Sequence, residues 1–187
     1  MDEMARRGFI KGAATGALAF TIGGVEVMMT AREARAQRIP LRVLTSDEAQ
    51  TLEAIGDVLA IGARQAGIAH FVDQQLTVPP GYALFSLRVS EVRLPYVDFY
   101  RDSLAAIERA AKSAHGRSYA GLRDDEKFEF VRQFSRGEIK GWDGKASQAF
   151  AYSVLRNDAV DVVYGTVEGF ERIGVPYLPH ILPERNW

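Results

Sequence analysis

The sequence predicts an all-α protein, a single-domain bundle of about five helices with an irregular aromatic C-terminal tail. Apolar residues recur at spacings of three and four along most of the chain, which is the period of an amphipathic helix. No apolar–polar alternation typical of strands is sustained anywhere. Gly and Pro residues follow several of the periodic stretches, as expected where helices end. Together these observations favour helices packed around one core.

The N-terminal residues 1–36 have the composition and order of an export leader. A basic head is followed by a weakly apolar run at residues 12–29 and by small residues in an A-x-A pattern at residues 34–36. Adjacent arginines followed by a hydrophobic pair and a lysine are typical of a twin-arginine signal, carried here by Arg6, Arg7, Phe9 and Lys11. Because that route exports folded proteins, we expect a cofactor or a folded partner to travel with the chain.

A cut after Ala36 would leave residues 37–187 as one helical domain of ordinary size. A membrane anchor and a buried helix are the alternatives for the leader. Glycines within residues 12–24 weaken a helix there, and Glu26 would lie deep in the lipid, so neither alternative is favoured. A leader that stays attached and tethers the chain is left open.

The chain contains no cysteine, which excludes disulfides, thiolate metal sites, iron–sulfur clusters and covalently attached c-type haem. Its formal net charge is −1 at pH 7, with charges of both signs mixed along the sequence. No basic stripe that would fit nucleic acid is present. We therefore expect neither nucleic acid nor a cysteine-bound group as a ligand.

The first helix of the domain is predicted to begin at a capping box, Thr45-Ser46-Asp47-Glu48, and to weaken near Gly62. A second helical stretch, residues 63–76, is ended by the prolines and glycine of residues 79–81. Three polar residues of this stretch lie off its apolar face, namely Asp73, Gln74 and Gln75. Residues 37–44 before the first helix are predicted to be a linker.

Residues 82–94 have mixed character, and both a short extended piece and an irregular loop remain open. The clearest helix follows over residues 95–114, with Pro95 suited to its first turn and Gly116 to its end. A further helix is predicted to begin with Asp124 as its N-cap and to end at Gly137.

The last long helix is predicted over residues 146–164, and residues 165–187 form the tail. The tail places three glycines and three prolines among large side chains, so it cannot be one long helix. It is too apolar to be left free in water. We expect it to wrap over its own bundle or over another protein.

No group of residues has the spacing of a catalytic or metal site. Each of the three histidines, His70, His115 and His180, lacks a second ligand three or four residues away, which favours packing, capping and tail docking over metal binding. Dinucleotide-binding, nucleophile-elbow and phosphate-loop motifs are absent. The sequence therefore predicts no catalytic, cofactor-binding or metal-binding residue in this chain. Candidates for a protein interface are Trp142, Phe170, Tyr177, His180 and Trp187.

Three features together resemble the gluconate 2-dehydrogenase subunit 3 family, the small (gamma) subunit of sugar dehydrogenase complexes. The first is the twin-arginine leader. The second is the opening helix LTSDEAQTLEAIGD at residues 44–57, followed by AGIAHFVD at residues 66–73. The third is the ending VYGTVEGFERIGVPYLPHI at residues 163–181. These segments span most of the chain after the leader.

The resemblance implies a non-catalytic small subunit that supplies the export signal and stabilises a separate catalytic flavoprotein. The partner is expected to be a GMC-type dehydrogenase that holds FAD and oxidises a sugar, sugar acid or glucoside. A cytochrome c with haem c is a further expected subunit, and the complex is expected in the periplasm or at its membrane. The alternative from the residues alone is a stand-alone exported helical protein that binds a sugar or a metal.

Overall fold

The computed structural model describes residues 16–90 and 92–176 and confirms a mainly helical fold. The described part contains eight helices and one two-stranded hairpin. In chain order these elements are β1 (Ala17–Ile22), β2 (Val25–Thr30), α1 (Ala31–Ala36), α2 (Ser46–Leu59), α3 (Ala63–Ala66), α4 (Ile68–Gln75), α5 (Tyr96–His115), α6 (Asp124–Arg136), α7 (Gln148–Tyr164) and α8 (Val167–Arg172). No helix in the described part is long and apolar enough to cross a membrane.

The long helices begin and end close to where the sequence predicts. The capping box of α2 is confirmed, since Thr45 N donates to Glu48 Oε2 at 2.8 Å and Glu48 N donates to Thr45 Oγ1 at 3.2 Å. Helix α5 ends at Gly116, whose φ of +71° is the left-handed conformation expected at a helix end. Asp124 was predicted as the N-cap of α6, but the structure places Arg123 there and Asp124 in the first turn.

The second predicted helix, residues 63–76, is divided into α3 and α4 by Gly67, which has a φ of +86°. The mixed segment that follows is neither a strand nor fully irregular, because it contains short 3₁₀ turns at Pro80–Tyr82 and Ser86–Val89. The predicted tail begins with one short helix, α8, capped by Thr166. Residues 177–187 lie outside the described part of the chain.

The prediction that no strand alternation is sustained is wrong for residues 17–30. Strands β1 and β2 pair antiparallel from Ala17 opposite Thr30 to Ile22 opposite Val25. Their turn is Gly23-Gly24, with φ of +57° and +84°, as a type I′ hairpin turn requires. One face of the hairpin turns inward and buries Leu18, Phe20 and Met29.

Helix α1 follows the hairpin without a break and packs into the domain. Its capping box pairs Thr30 with Glu33, whose carboxylate accepts from Thr30 N at 2.7 Å. Ala31 and Ala34 are buried, and Arg35 Nε donates to Glu53 Oε1 on α2 at 3.1 Å. The predicted boundary after Ala36 therefore falls at the end of a packed helix. The point at which the leader is cut stays a prediction.

The core lies where α2, α4, α5 and α7 pack, with aromatic side chains filling the largest volumes. Tyr100, Tyr119, Phe85 and Phe134 are the largest side chains that are fully buried among the described residues. The ring of Phe85 contacts both Tyr96 and Tyr100, at centroid distances of 5.4 and 5.7 Å. The edge-to-face contact with Tyr96 and the tilted contact with Tyr100 add to the burial energy and fix the residues that connect α4 to α5.

We predict that Gly67→Ala destabilises the protein more than Gly62→Ala does. Both glycines have a positive φ, so alanine costs about 1–2 kcal/mol at either position. A Cβ at Gly67 would also collide with the carbonyl of Ala31, whereas nothing lies within 4 Å of one at Gly62. We expect a further loss of about 1–3 kcal/mol for Gly67→Ala. Urea unfolding of both variants measures this difference, and equal losses would show that α1 does not pack against Gly67 in solution.

Candidate functional site

The predicted interface residues are only partly within the described chain. The half-buried ring of Trp142 lies 5.2 Å from that of Phe134, and Trp142 Nε1 donates to Ala146 O at 2.9 Å, so its contacts are within the fold. Phe170 is half-buried on α8. Seven of the predicted residues lie outside the described part: Arg6, Arg7, Phe9, Lys11, Tyr177, His180 and Trp187.

The described histidines do not form a site. His70 is buried, its Nε2 lies 3.0 Å from Ile39 O, and burial lowers the pKa of its imidazole. His115 stands at the end of α5 with Nδ1 at 3.7 Å from Glu126 Oε1. Within residues 16–90 and 92–176, no group of three or more His, Cys, Asp or Glu could hold a metal ion.

A buried acid pairs with a tyrosine between α5 and α7. Tyr100 Oη donates to Asp158 Oδ2 at 2.7 Å, and both residues are inaccessible to solvent. Burial raises the pKa of Asp158 to about 7, against the lowering effect of the Tyr100 hydrogen bond. Burial also raises the pKa of Tyr100 well above its usual range. Since neither group reaches solvent, the pair acts on stability rather than on a substrate.

The sequence alone predicts no buried partner for Asp158, although it contains one signal of burial. Ala151, Val154, Leu155 and Val162 are buried on α7, and Asp158 recurs at the same helical spacing. A carboxylate at a core position of a helix is unusual and needs a buried partner. The sequence does not identify that partner, because Tyr100 lies 58 residues away.

A cavity of about 560 Å³ opens between the hairpin, α1 and the junction of α7 with α8. Its wall is mostly apolar, and its charged residues are Arg32, Asp161 and Glu168. Partial desolvation raises the pKa of Asp161, and Arg32 Nε lies 3.5 Å from Glu168 Oε2. These groups do not converge as a nucleophile and a base would. Among the described residues, the lining of this cavity contains no paired nucleophile and base.

Residues 82–89 include both buried and exposed apolar side chains, and we call this stretch of the surface the apolar segment. Ala83, Phe85 and Leu87 are buried and anchor it to the core. Between and beside them, Tyr82 is 60%, Leu84 47% and Val89 80% exposed. The segment thus presents large apolar side chains to solvent from a backbone fixed on its inner side. Because these exposed side chains are grouped along one anchored stretch, the segment is a candidate protein interface.

Two glutamines of α4 hold the apolar segment in place. Gln75 Oε1 accepts from Leu84 N at 2.6 Å, and Gln75 Nε2 donates to Gln74 Oε1 at 2.6 Å. Gln74 Nε2 donates in turn to Ala19 O of strand β1 at 3.1 Å. Both amides are buried, so this relay links the hairpin to the apolar segment through the core. The sequence places these glutamines off the apolar face and does not reveal their role.

The third polar residue of α4 holds the segment before α2. Asp73 Oδ2 accepts from Arg42 N at 2.9 Å, while Oδ1 accepts from Val43 N and Leu44 N at 2.8 Å each. Hydrogen bonds from three successive backbone N–H groups to one carboxylate give a rigid turn. The predicted linker is therefore fixed where it meets α2.

The described residues form a mainly helical domain whose surface carries an anchored apolar segment and whose core contains a buried polar relay. The family described as gluconate 2-dehydrogenase subunit 3 matches residues 46–180, and the chain belongs to this family. The chain matches no curated protein and no solved structure. The family makes it an accessory subunit of a dehydrogenase complex that associates with other subunits.

We predict that Asp158→Asn changes how stability depends on pH. An unfolded aspartate has a pKa of about 3.9, whereas that of Asp158 in the fold is about 7. Between these values the folded chain holds a proton that the unfolded chain releases, so rising pH lowers the free energy of unfolding. Above pH 7 both states have lost this proton and the slope from this group disappears.

Asparagine keeps the shape of the protonated acid and does not titrate. We therefore expect Asp158→Asn to gain stability relative to the unchanged protein as the pH rises from 5 to 8. Urea unfolding at a series of pH values measures the difference, in which the contributions of other carboxyl groups cancel. A difference that stays constant across this range would contradict a raised pKa at Asp158.

Proposed function

We propose that the chain is the non-catalytic small subunit of a periplasmic or membrane-associated FAD-dependent dehydrogenase. Its partner would be a GMC-type flavoprotein that oxidises a sugar, a sugar acid or a glucoside. The chain would bind this flavoprotein through the apolar segment, stabilise it and carry it out of the cytoplasm with its own twin-arginine signal. The anchored exposure of Tyr82, Leu84 and Val89 is the observation that carries the proposal.

Burial of the apolar segment by a partner would gain hydrophobic free energy and would cost little conformational entropy. Each large apolar side chain that leaves water contributes roughly 1.5–3 kcal/mol when fully buried. Binding also costs little order in this segment, because Phe85 and Leu87 are already packed and Gln75 already holds Leu84 N. Permanent complexes of this type bury apolar surfaces of roughly 2,000 Å² or more, so the segment would be the centre of a larger contact.

Division of labour between subunits supports placing the chemistry in the partner. The chain has no dinucleotide fingerprint, and its lack of cysteine excludes covalently held haem c. The proposal places FAD in the flavoprotein and haem c in a cytochrome subunit that takes the electrons. Export in the folded state would let the FAD be loaded in the cytoplasm before the complex leaves.

We predict that replacing both Tyr82 and Val89 by serine weakens binding to the flavoprotein. Both side chains are exposed, so the change removes apolar surface without opening the core. We expect at least a tenfold loss of flavin that copurifies with the tagged chain, measured by its visible spectrum. Phe128→Ser is the matched control, since Phe128 is 67% exposed on α6, away from this segment in sequence. Equal retention of flavin by both variants would contradict docking through the apolar segment.

We also predict that replacing Arg6 and Arg7 by lysine keeps both proteins in the cytoplasm. The twin-arginine pathway reads the arginine pair, and the partner is expected to have no signal of its own. Dehydrogenase activity and both polypeptides should then disappear from the periplasmic fraction. Arg38→Lys, an exposed arginine after α1, is the control and should leave export unchanged. Export of the flavoprotein alongside the double variant would refute the escort role.

A further inference from the structure

We propose that residues 17–36 stay in the exported protein as a structural part of its domain, and that the A-x-A sequence at residues 34–36 is not processed. This inference rests on the proposed export where it concerns processing. Its structural half rests on packing alone. The hairpin and α1 would then be permanent components of the subunit, rather than a leader that is discarded.

Residues 17–36 contribute their own side chains to the core. Leu18, Phe20 and Met29 of the hairpin belong to the same buried cluster as Ile55 and Val72 of the helical bundle. Ala31 and Ala34 of α1 are buried within that cluster as well. A cut after Ala36 would free this apolar surface on both sides, and the bundle would expose what the segment now covers.

The backbone of α1 fits a place in the domain that only glycine allows. A Cβ at Gly67 would overlap the carbonyl of Ala31, so the left-handed turn between α3 and α4 accommodates α1 directly. Arg35 also binds Glu53 of α2, with 3.1 Å between Nε and Oε1. The domain therefore packs closely against α1 at Gly67 and Glu53, and a leader that is discarded would not require such close packing.

The residues of the A-x-A pattern are a poor substrate in this fold. Processing enzymes cut exposed, flexible segments, whereas Ala34 is 0% exposed inside a capped helix. Ala36 is exposed at the end of the same helix. Ala34 and Ala36 thus differ in burial although both belong to the A-x-A pattern. A substitution at Ala34 would disturb both packing and processing, whereas one at Ala36 would disturb processing alone.

Retention of the hairpin also preserves the apolar segment. Gln74 Nε2 donates to Ala19 O, and through Gln75 it fixes the backbone of Leu84. Without β1 the buried amide of Gln74 loses its acceptor, and the relay that positions Leu84 loses its outer end. A subunit that binds its partner before export and keeps residues 17–36 afterwards would present the same apolar segment on both sides of the membrane.

The test compares the full-length chain with Ala34→Asp and Ala36→Asp, each expressed with the flavoprotein. Intact mass and N-terminal sequencing of the periplasmic protein would give its first residue. We expect the unchanged chain to retain residues 17–36 and Ala36→Asp to have the same N-terminus and thermal midpoint. Ala34→Asp should lower the midpoint strongly, because it places a carboxylate in the core.

An N-terminus at Gln37 in the unchanged chain would overturn the proposal. In that case both variants should accumulate as uncut precursors, because each substitution disrupts the A-x-A pattern. If no protein reaches the periplasm, the escort function fails instead. The thermal midpoints of the full-length chains purified from the cytoplasm then decide the structural half. Equal midpoints for Ala34→Asp and Ala36→Asp would refute the packing of α1.

Discussion

The fold depends on the polar side chains of α4, a helix whose eight residues are all buried. His70 lies against Ile39 O, Asp73 accepts from three backbone N–H groups before α2, and the glutamine relay joins Ala19 to Leu84. Buried polar groups are costly unless they are hydrogen-bonded, so each of these side chains requires one particular chain segment beside it. One helix thereby fixes the hairpin, the segment before α2 and the apolar segment.

Under the proposed function, this arrangement would let the subunit bind its partner through a surface that is already ordered. A docking surface binds tightly when it is already ordered, because little conformational entropy is then lost. The apolar segment has no regular secondary structure beyond short 3₁₀ turns, and its order comes from Phe85, Leu87 and the bond from Leu84 N to Gln75. Its rigidity is therefore supplied from α4 rather than from its own backbone.

The sequence predicted the long helices well because their ends carry local signals. The capping box at Thr45 and the glycine after α5 act through neighbouring residues, which a sequence displays directly. The hairpin was missed because Gly23-Gly24 was interpreted as weakening a helix instead of forming a type I′ turn between alternating strands. The relay was missed because an off-face glutamine is usually solvated, and only the tertiary structure covers every side of α4.

Under the proposed export, the N-terminal segment satisfies two demands that are compatible in chemical terms. An export leader of this class needs a weakly apolar run with small residues, and a two-stranded hairpin needs alternating apolar positions and a glycine turn. Residues 17–30 meet both, since Leu18 and Phe20 face the core while Glu26 lies on the solvent side opposite Thr21. A charge that argued against a membrane-spanning helix is thus accommodated by the pleat of a strand, which sends successive side chains to opposite faces. The leader-like composition of residues 17–30 is therefore also the composition that this hairpin requires.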